Sequence, residues 1–149
     1  MSAAPLDLPA APAPAPAFVP YEERMRANVI KLWRRSFSNS VAAYERDIDA
    51  ACRNHPEWFI VALAGGAVVG TCIGTSDQHR HWLYYLCVAR HARRRRVATG
   101  LVRHLEGLMR AAGARQLGLH VVKHNRQALA FYRSLGYETE QISCLGKRL

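Results

Sequence analysis

The 149-residue chain has no C-x-x-C pair: its four cysteines, Cys52, Cys72, Cys87 and Cys144, are far apart. That spacing speaks against a redox motif or a thiolate metal site. All but Cys52 lie in strand-like apolar runs, so buried thiols are expected. No apolar run approaches the roughly 20 residues a helix needs to cross a bilayer. The first twenty residues carry neither Lys nor Arg and no apolar stretch of the signal-peptide kind. A cytoplasmic protein without a membrane partner is the expectation. Of the seven histidines, His120 and His124 stand four apart, but one ends a strand pattern and the other precedes a helix. They would not share a helical face, and no metal is expected. Acidic residues are also scarce, 11 against 21 Lys and Arg, for a formal charge of +10. Such an excess suits nucleic acid, an acidic surface, a polyanionic small ligand or simply a soluble basic exterior.

Half the residues are hydrophobic, enough for one compact domain of this length. Residues 1–17 hold five of the seven prolines and few side chains that could pack, so a disordered Ala/Pro-rich tail is expected, followed by a single domain over 18–149. Phe18 to Tyr21 suits a short first strand interrupted by Pro20, a residue that fits a strand end or edge. Met25, Val29, Leu32, Trp33 and Phe37 mark the buried stripe of a first helix. Val41, Tyr44, Ile48 and Cys52 mark a second, capped by Ser40. Glu45, Arg46, Asp47 and Asp49 read as its solvated face. The runs Trp58–Leu63 and Val68–Ile73, joined by Gly65-Gly66, predict a hairpin. Trp82 to Val88 predicts a third strand.

From Leu83 to Leu105 the chain passes from that strand, through five arginines between Arg90 and Arg96, into a segment with apolar residues at helical spacing: Val97, Leu101, Leu105 and Leu108. The start of a helix offers unpaired N–H groups and a positive dipole end, so the turn is suited to an anion. Gly113 should end this helix. Leu117, Leu119 and Val121 predict a strand parallel to the one before it. Asn125 should cap a last helix with Ala128, Leu129, Phe131, Tyr132 and Leu135 turned inward, ended by Gly136, and Tyr137 to Leu149 should supply a final strand. The expected class is α/β (α+β), an antiparallel meander passing into one βαβ unit, with helices on both faces of a mixed sheet.

These residues resemble the GNAT superfamily of acetyl-CoA-dependent N-acetyltransferases, over roughly residues 18–149. The family's acyl-CoA signature, Q/R-x-x-G-x-G/A, falls on Arg93-Arg94-Arg95-Arg96-Val97-Ala98, with Arg96 where the pattern has glycine. Its N-x-x-A-x-x-F/Y-Y-x-x-x-G-F/Y pattern is met by Asn125, Ala128, Phe131, Tyr132, Gly136 and Tyr137. The hairpin, the LYYLCV strand and the terminal CLGKRL resemble a small bacterial branch of the superfamily. The resemblance implies acetyl-CoA as co-substrate, its pyrophosphate on the N–H groups from Arg94 to Thr99 (Val97 and Ala98 included). Arg93 and its neighbours would neutralise the phosphates, and Asn125 would belong to the same cofactor site. The pantetheine arm would pair with Leu86, Cys87 and Val88 where two parallel strands splay. A substrate amine would attack the thioester directly, a backbone N–H near Cys87 or Val88 would hold the oxyanion, and Tyr132 would protonate the departing thiolate. For a general base the sequence offers His79, His81, Tyr84, Asp77 and Glu57 without choosing among them. Competing readings are a basic nucleic-acid-binding module, an acetyltransferase whose charge recruits an acidic or RNA-borne acceptor, and an inactive GNAT-fold protein that only binds CoA. Homodimers are common in the superfamily.

Overall fold

The structure is a computed structural model describing residues 14–149. Most of the expected Ala/Pro-rich tail therefore lies outside the described residues. Two compact units are present, one reaching to Gly118 and one over Leu119–Leu149.

In the first unit, β1 (Ala17–Pro20), β2 (Phe59–Ala64), β3 (Ala67–Ser76), β4 (His81–Val88) and β5 (Leu117–Gly118) form one sheet in the order β1-β2-β3-β4-β5. The first three pairings are antiparallel, and β4 with β5 is parallel. Two helices, α1 (Arg26–Ser36) and α2 (Val41–Asn54), precede the hairpin, and α3 (Val97–Ala111) joins β4 to β5. The meander and the βαβ unit both form. Pro20 closes β1, which lies at the sheet edge where its missing N–H costs no ladder bond.

Alternation along the strands separates two apolar layers. Phe59, Val61 and Ile73 pack with Met25, Val29 and Trp33 of the first helical segment and with Tyr44 and Ile48 of α2. On the other face lies α3, whose Val97, Leu101, Leu105 and Met109 are buried. It sits so close to β3 that a Cβ on Gly74 would fall 2.3 Å from Met109 Cε. Burying such side chains contributes about 1.5–3 kcal/mol each. Ser40 caps α2, accepting from the Ala43 N–H at 3.2 Å. Gly113, at φ +94°, ends α3: the Ala114 N–H reaches back to the Met109 carbonyl at 2.9 Å, a closure that needs the left-handed residue a glycine supplies.

Several expectations are corrected. Val41 is 42% exposed, because it is the first residue of α2 and precedes the buried stripe. Asp47 and Asp49 are not simply solvated: Asp49 accepts from Arg26 of α1 at 2.7 Å, and Asp47 accepts from the Tyr85 hydroxyl. The strand expected from Leu117 to Val121 is limited to Leu117–Gly118, which pair with His81 and Trp82; Leu119 and Val121 lie past the paired segment.

The second unit contains α4 (Arg126–Ser134), capped by Asn125, whose Oδ1 accepts from the Ala128 N–H at 3.1 Å. Gly136, at φ +95°, closes it as Gly113 closes α3, with the Tyr137 N–H on the Tyr132 carbonyl at 3.1 Å. The inward positions Ala128, Leu129, Phe131, Tyr132 and Leu135 are half-buried. The final strand expected from Tyr137 to Leu149 does not form among the described residues. A strand needs a ladder partner, and none is present here, so Ile142, Leu145 and Leu149 are exposed. Cys144, expected to be buried with it, is exposed too.

Candidate functional site

The turn between β4 and α3 is built from left-handed residues. Arg94 and Arg96 have φ of +63° and +57°, an arrangement in which successive N–H groups face one side. Arg93, Arg94, Arg95 and Arg96 are all exposed, whereas Val97 is buried and anchors the helix start. The ladder of α3 begins with the Gly100 N–H on the Arg96 carbonyl at 2.9 Å. The N–H groups of Val97, Ala98 and Thr99 therefore lie at the open end of the helix. No side chain caps it, and the first turn holds no acidic residue, so the dipole end and the guanidinium groups act in the same sense.

The second part of the site is β4. Its parallel pairing with β5 covers only His81 and Trp82, so from Leu83 to Val88 that edge has no ladder partner among the described residues. On its other edge the register breaks. Thr71 faces Cys87 and Ile73 faces Tyr84, so Tyr85 and Leu86 together oppose Cys72, and Tyr85 takes φ +52°. This is a bulge with a non-glycine residue in the left-handed region. Leu86, the second residue of the bulge, leads into Cys87 and Val88 at the strand end.

Gly70 of β3 brings the two parts together. A Cβ there would come 3.1 Å from the Cys87 carbonyl oxygen, 3.2 Å from Val97 Cγ1 and 3.0 Å from Leu101 Cδ1. The end of β4 and the start of α3 thus converge over one residue without a side chain. Cys87 keeps its proton, because burial pushes its thiol up. Burial does the same at Cys72. Neither fits an acyl-carrying thiolate.

The candidate bases fall elsewhere. Asp77 accepts from the N–H groups of His79 and Arg80 and from Trp82 Nε1 at 3.1, 2.7 and 3.1 Å. These bonds, that of Trp82 foremost, hold its carboxyl below the usual range, a loop-closing role. His81 opens β4 and packs edge-on against Trp58; Glu57 pairs with His55 at 3.4 Å. His81 is five residues, roughly 17 Å of extended strand, from Leu86. Tyr84 is exposed beside the bulge. Among the described residues no three His, Cys, Asp or Glu groups could hold a metal ion, and no helix is long and apolar enough to cross a membrane.

In the second unit Tyr132 is half-buried in α4, its ring 5.1 Å from that of Phe131 and 5.6 Å from that of Tyr137. Asn125 spends its carbonyl oxygen on the helix cap, which leaves its amide nitrogen uncommitted by that bond.

Thr71, Tyr85 and Asp47 were absent from the sequence-level site. A bulge leaves no mark in the unbroken run Leu83 to Val88. Gly70 within a strand was the available signal of a close backbone approach.

Comparison with known proteins bears on the fold and the family. Among solved structures, Ard1 from Thermoplasma volcanium superposes with a TM-score of 0.74 at 23% identity, covering 82% of each chain. An aminoglycoside N-acetyltransferase in complex with CoA gives 0.78 at 17% identity over 90% of this chain and 95% of that one. At these identities the likeness shows the fold, that of the GNAT acyltransferases. The model of the acetyltransferase (GNAT) family matches residues 26–137. An acetyltransferase of Yersinia enterocolitica is 39% identical over 105 residues, 70% of this chain and 74% of that protein. The chain belongs to the GNAT family of acetyltransferases and is an acyltransferase enzyme.

Proposed function

We propose that this protein transfers an acetyl group from acetyl-CoA to a primary amine by direct attack within a ternary complex. The observation that carries the reading is the convergence, over Gly70, of an unpaired strand edge and a cationic, left-handed turn at a helix start. Coenzyme A combines a strand-like pantetheine arm with a pyrophosphate, and the two halves of this site suit the two halves of that molecule. The arm pairs with Leu86, Cys87 and Val88. The pyrophosphate lies on the N–H groups from Arg94 to Thr99, with Arg93, Arg94, Arg95 and Arg96 supplying charge. Asn125 is assigned to the same cofactor by its place in the Asn125–Tyr137 motif alone. The CoA bound to the aminoglycoside N-acetyltransferase named above supports the same co-substrate here.

In the reaction the amine nitrogen attacks the thioester carbon, and its carbonyl oxygen becomes an oxyanion held by a bulge N–H of β4. The C–S bond then breaks, the thiolate takes a proton from Tyr132, the new amide gives its surplus proton to solvent, and Tyr132 regains a proton from solvent. The role of Tyr132 rests on its place in the Asn125–Tyr137 motif. The +10 charge supports an acceptor carried on an acidic or RNA-borne molecule.

Acetyl-CoA should raise the melting temperature of the purified protein, since a ligand at about a hundred times its Kd stabilises by about 2.7 kcal/mol. No shift at millimolar acetyl-CoA would defeat this reading. Strong, steeply salt-dependent RNA affinity in its place would favour a nucleic-acid-binding module. Unchanged turnover in Tyr132→Phe, with CoA binding intact, would remove that residue from the chemistry.

A further inference from the structure

The bulge of β4 is gripped from the α1 and α2 side by a chain of side chains that the reaction as described does not use. Thr71, fully buried on β3, accepts from Trp33 Nε1 at 2.9 Å and lies 2.8 Å from the Tyr85 carbonyl oxygen. A hydroxyl has one proton to give, and the carbonyl can only accept, so that proton goes to Tyr85. The Cys87 thiol, 3.4 Å from Thr71 Oγ1, is then the donor in its contact. Thr71 thereby replaces the ladder partner that the register shift takes from the Tyr85 carbonyl.

The other end of Tyr85 is fixed as well. Its ring stacks on Trp33, centroids 3.9 Å apart and planes 15° apart, and meets Phe37 edge-on at 5.2 Å. Its hydroxyl donates to Asp47 of α2 and receives Asn39 Nδ2 at 3.4 Å. Among the described residues Asp47 has no ion pair, whereas Glu22, Glu23 and Asp49 are paired with arginines. It is kept for a neutral phenol.

The consequence lies in the next peptide bond. In a trans peptide the carbonyl and the following N–H point in opposite directions. A Tyr85 carbonyl directed at Thr71 therefore sends the Leu86 N–H away from β3, toward the edge of β4 that has no partner. We propose that Thr71, Tyr85 and Asp47 are positioning residues that hold the Leu86 N–H as the donor to the acetyl carbonyl of the bound thioester. None of the three touches the reacting atoms. They keep Tyr85 at φ +52°, which a non-glycine residue leaves if unsupported. The inference rests on the acyl-CoA reading above and makes the helical wall part of the acyl site.

The test compares acetyl-CoA with CoA, which lacks the carbonyl. Calorimetric titration of the wild type should give acetyl-CoA about five-fold tighter binding than CoA, the size of one net hydrogen bond. The carbonyl band of 13C-labelled acetyl-CoA should move to lower frequency on binding. Tyr85→Phe keeps the ring stack and removes only the hydroxyl. It should bring the preference close to one and return the band toward its free position, with CoA affinity within about two-fold of wild type. Thr71→Val should do the same and also lower Tm, because it strands Trp33 Nε1 in the core. Asp47→Asn still accepts from the phenol and should keep both signatures, whereas Asp47→Ala should lose them. Tyr85→Phe retaining preference and band would overturn the inference, as would a wild type binding the two ligands equally; CoA binding would stand in either case. A wild type that binds neither ligand defeats the acyl-CoA reading itself.

Discussion

Replacing Arg96 with glycine probes the turn proposed to hold the CoA pyrophosphate. Arg96 sits at φ +57°, ψ +22°, in the left-handed region, and caps α3 with no side-chain hydrogen bond. A residue with a Cβ pays about 1–2 kcal/mol there, and nothing in the cap offsets that cost. Glycine removes it but adds about 0.5–1 kcal/mol of unfolded-chain entropy. The net expectation is a gain of about 0.5–1 kcal/mol, or a rise in Tm of about 2–3 °C for a chain of this size. Arg94, at φ +63°, should behave alike, whereas Arg95 is not among the positive-φ residues and should lose stability on becoming glycine. Because the Arg96 guanidinium is exposed, its attraction for a phosphate is screened to about 0.2–1 kcal/mol, so Arg96→Gly should weaken CoA binding by no more than about five-fold. Calorimetry on the three single variants, with and without CoA, measures both effects. If Arg96→Gly lowers Tm as far as Arg95→Gly does, the left-handed angle is not what limits this turn.

Gly70→Ala should reduce both Tm and CoA affinity, because the added carbon meets the Cys87 carbonyl at 3.1 Å, a backbone atom that cannot swing aside; CoA titration of a folded variant with unchanged Kd would contradict the convergence argument. Gly100→Ala places a carbon 2.1 Å from Phe18 Cζ, and the overpacking, about 1–3 kcal/mol, should outweigh the roughly 1 kcal/mol helix-propensity gain. Adding Phe18→Leu should recover much of the lost Tm; no recovery would mean that the contact is not the cause. Burial pushes Tyr85 and Tyr21 up to about 12 from 10.0, with Asp47 and Glu23 respectively adding to the effect, and burial raises Cys72 from 9.0. The folded state therefore keeps protons that the unfolded chain gives up, so stability is full below about pH 9 and falls as pH rises through 10 to 12. Urea midpoints at pH 8, 10 and 11 should decline, less steeply above pH 10 in Tyr85→Phe; a flat series would refute the assignment.

Elements whose signals are local could be read from the order of residues alone. Alternation and 3.6-residue spacing placed β2, β3, β4 and the helices α1 to α4, because each such element hides one face. Gly113 and Gly136 marked helix ends through backbone angles that belong to single residues. The arginine turn was legible for the same reason, as was the departure at Arg96. Features that depend on a partner across the sheet emerged only in the folded chain. The bulge at Tyr85 and Leu86 exists because β3 and β4 lose register, which neither strand records alone. Asp47 left the solvated face of α2 for the Tyr85 hydroxyl, a contact across 38 positions of chain. The expected last strand failed by the same logic, since alternating residues supply a face but no ladder. Packing between distant segments brought a strand end, a cationic turn and a helix start together over Gly70.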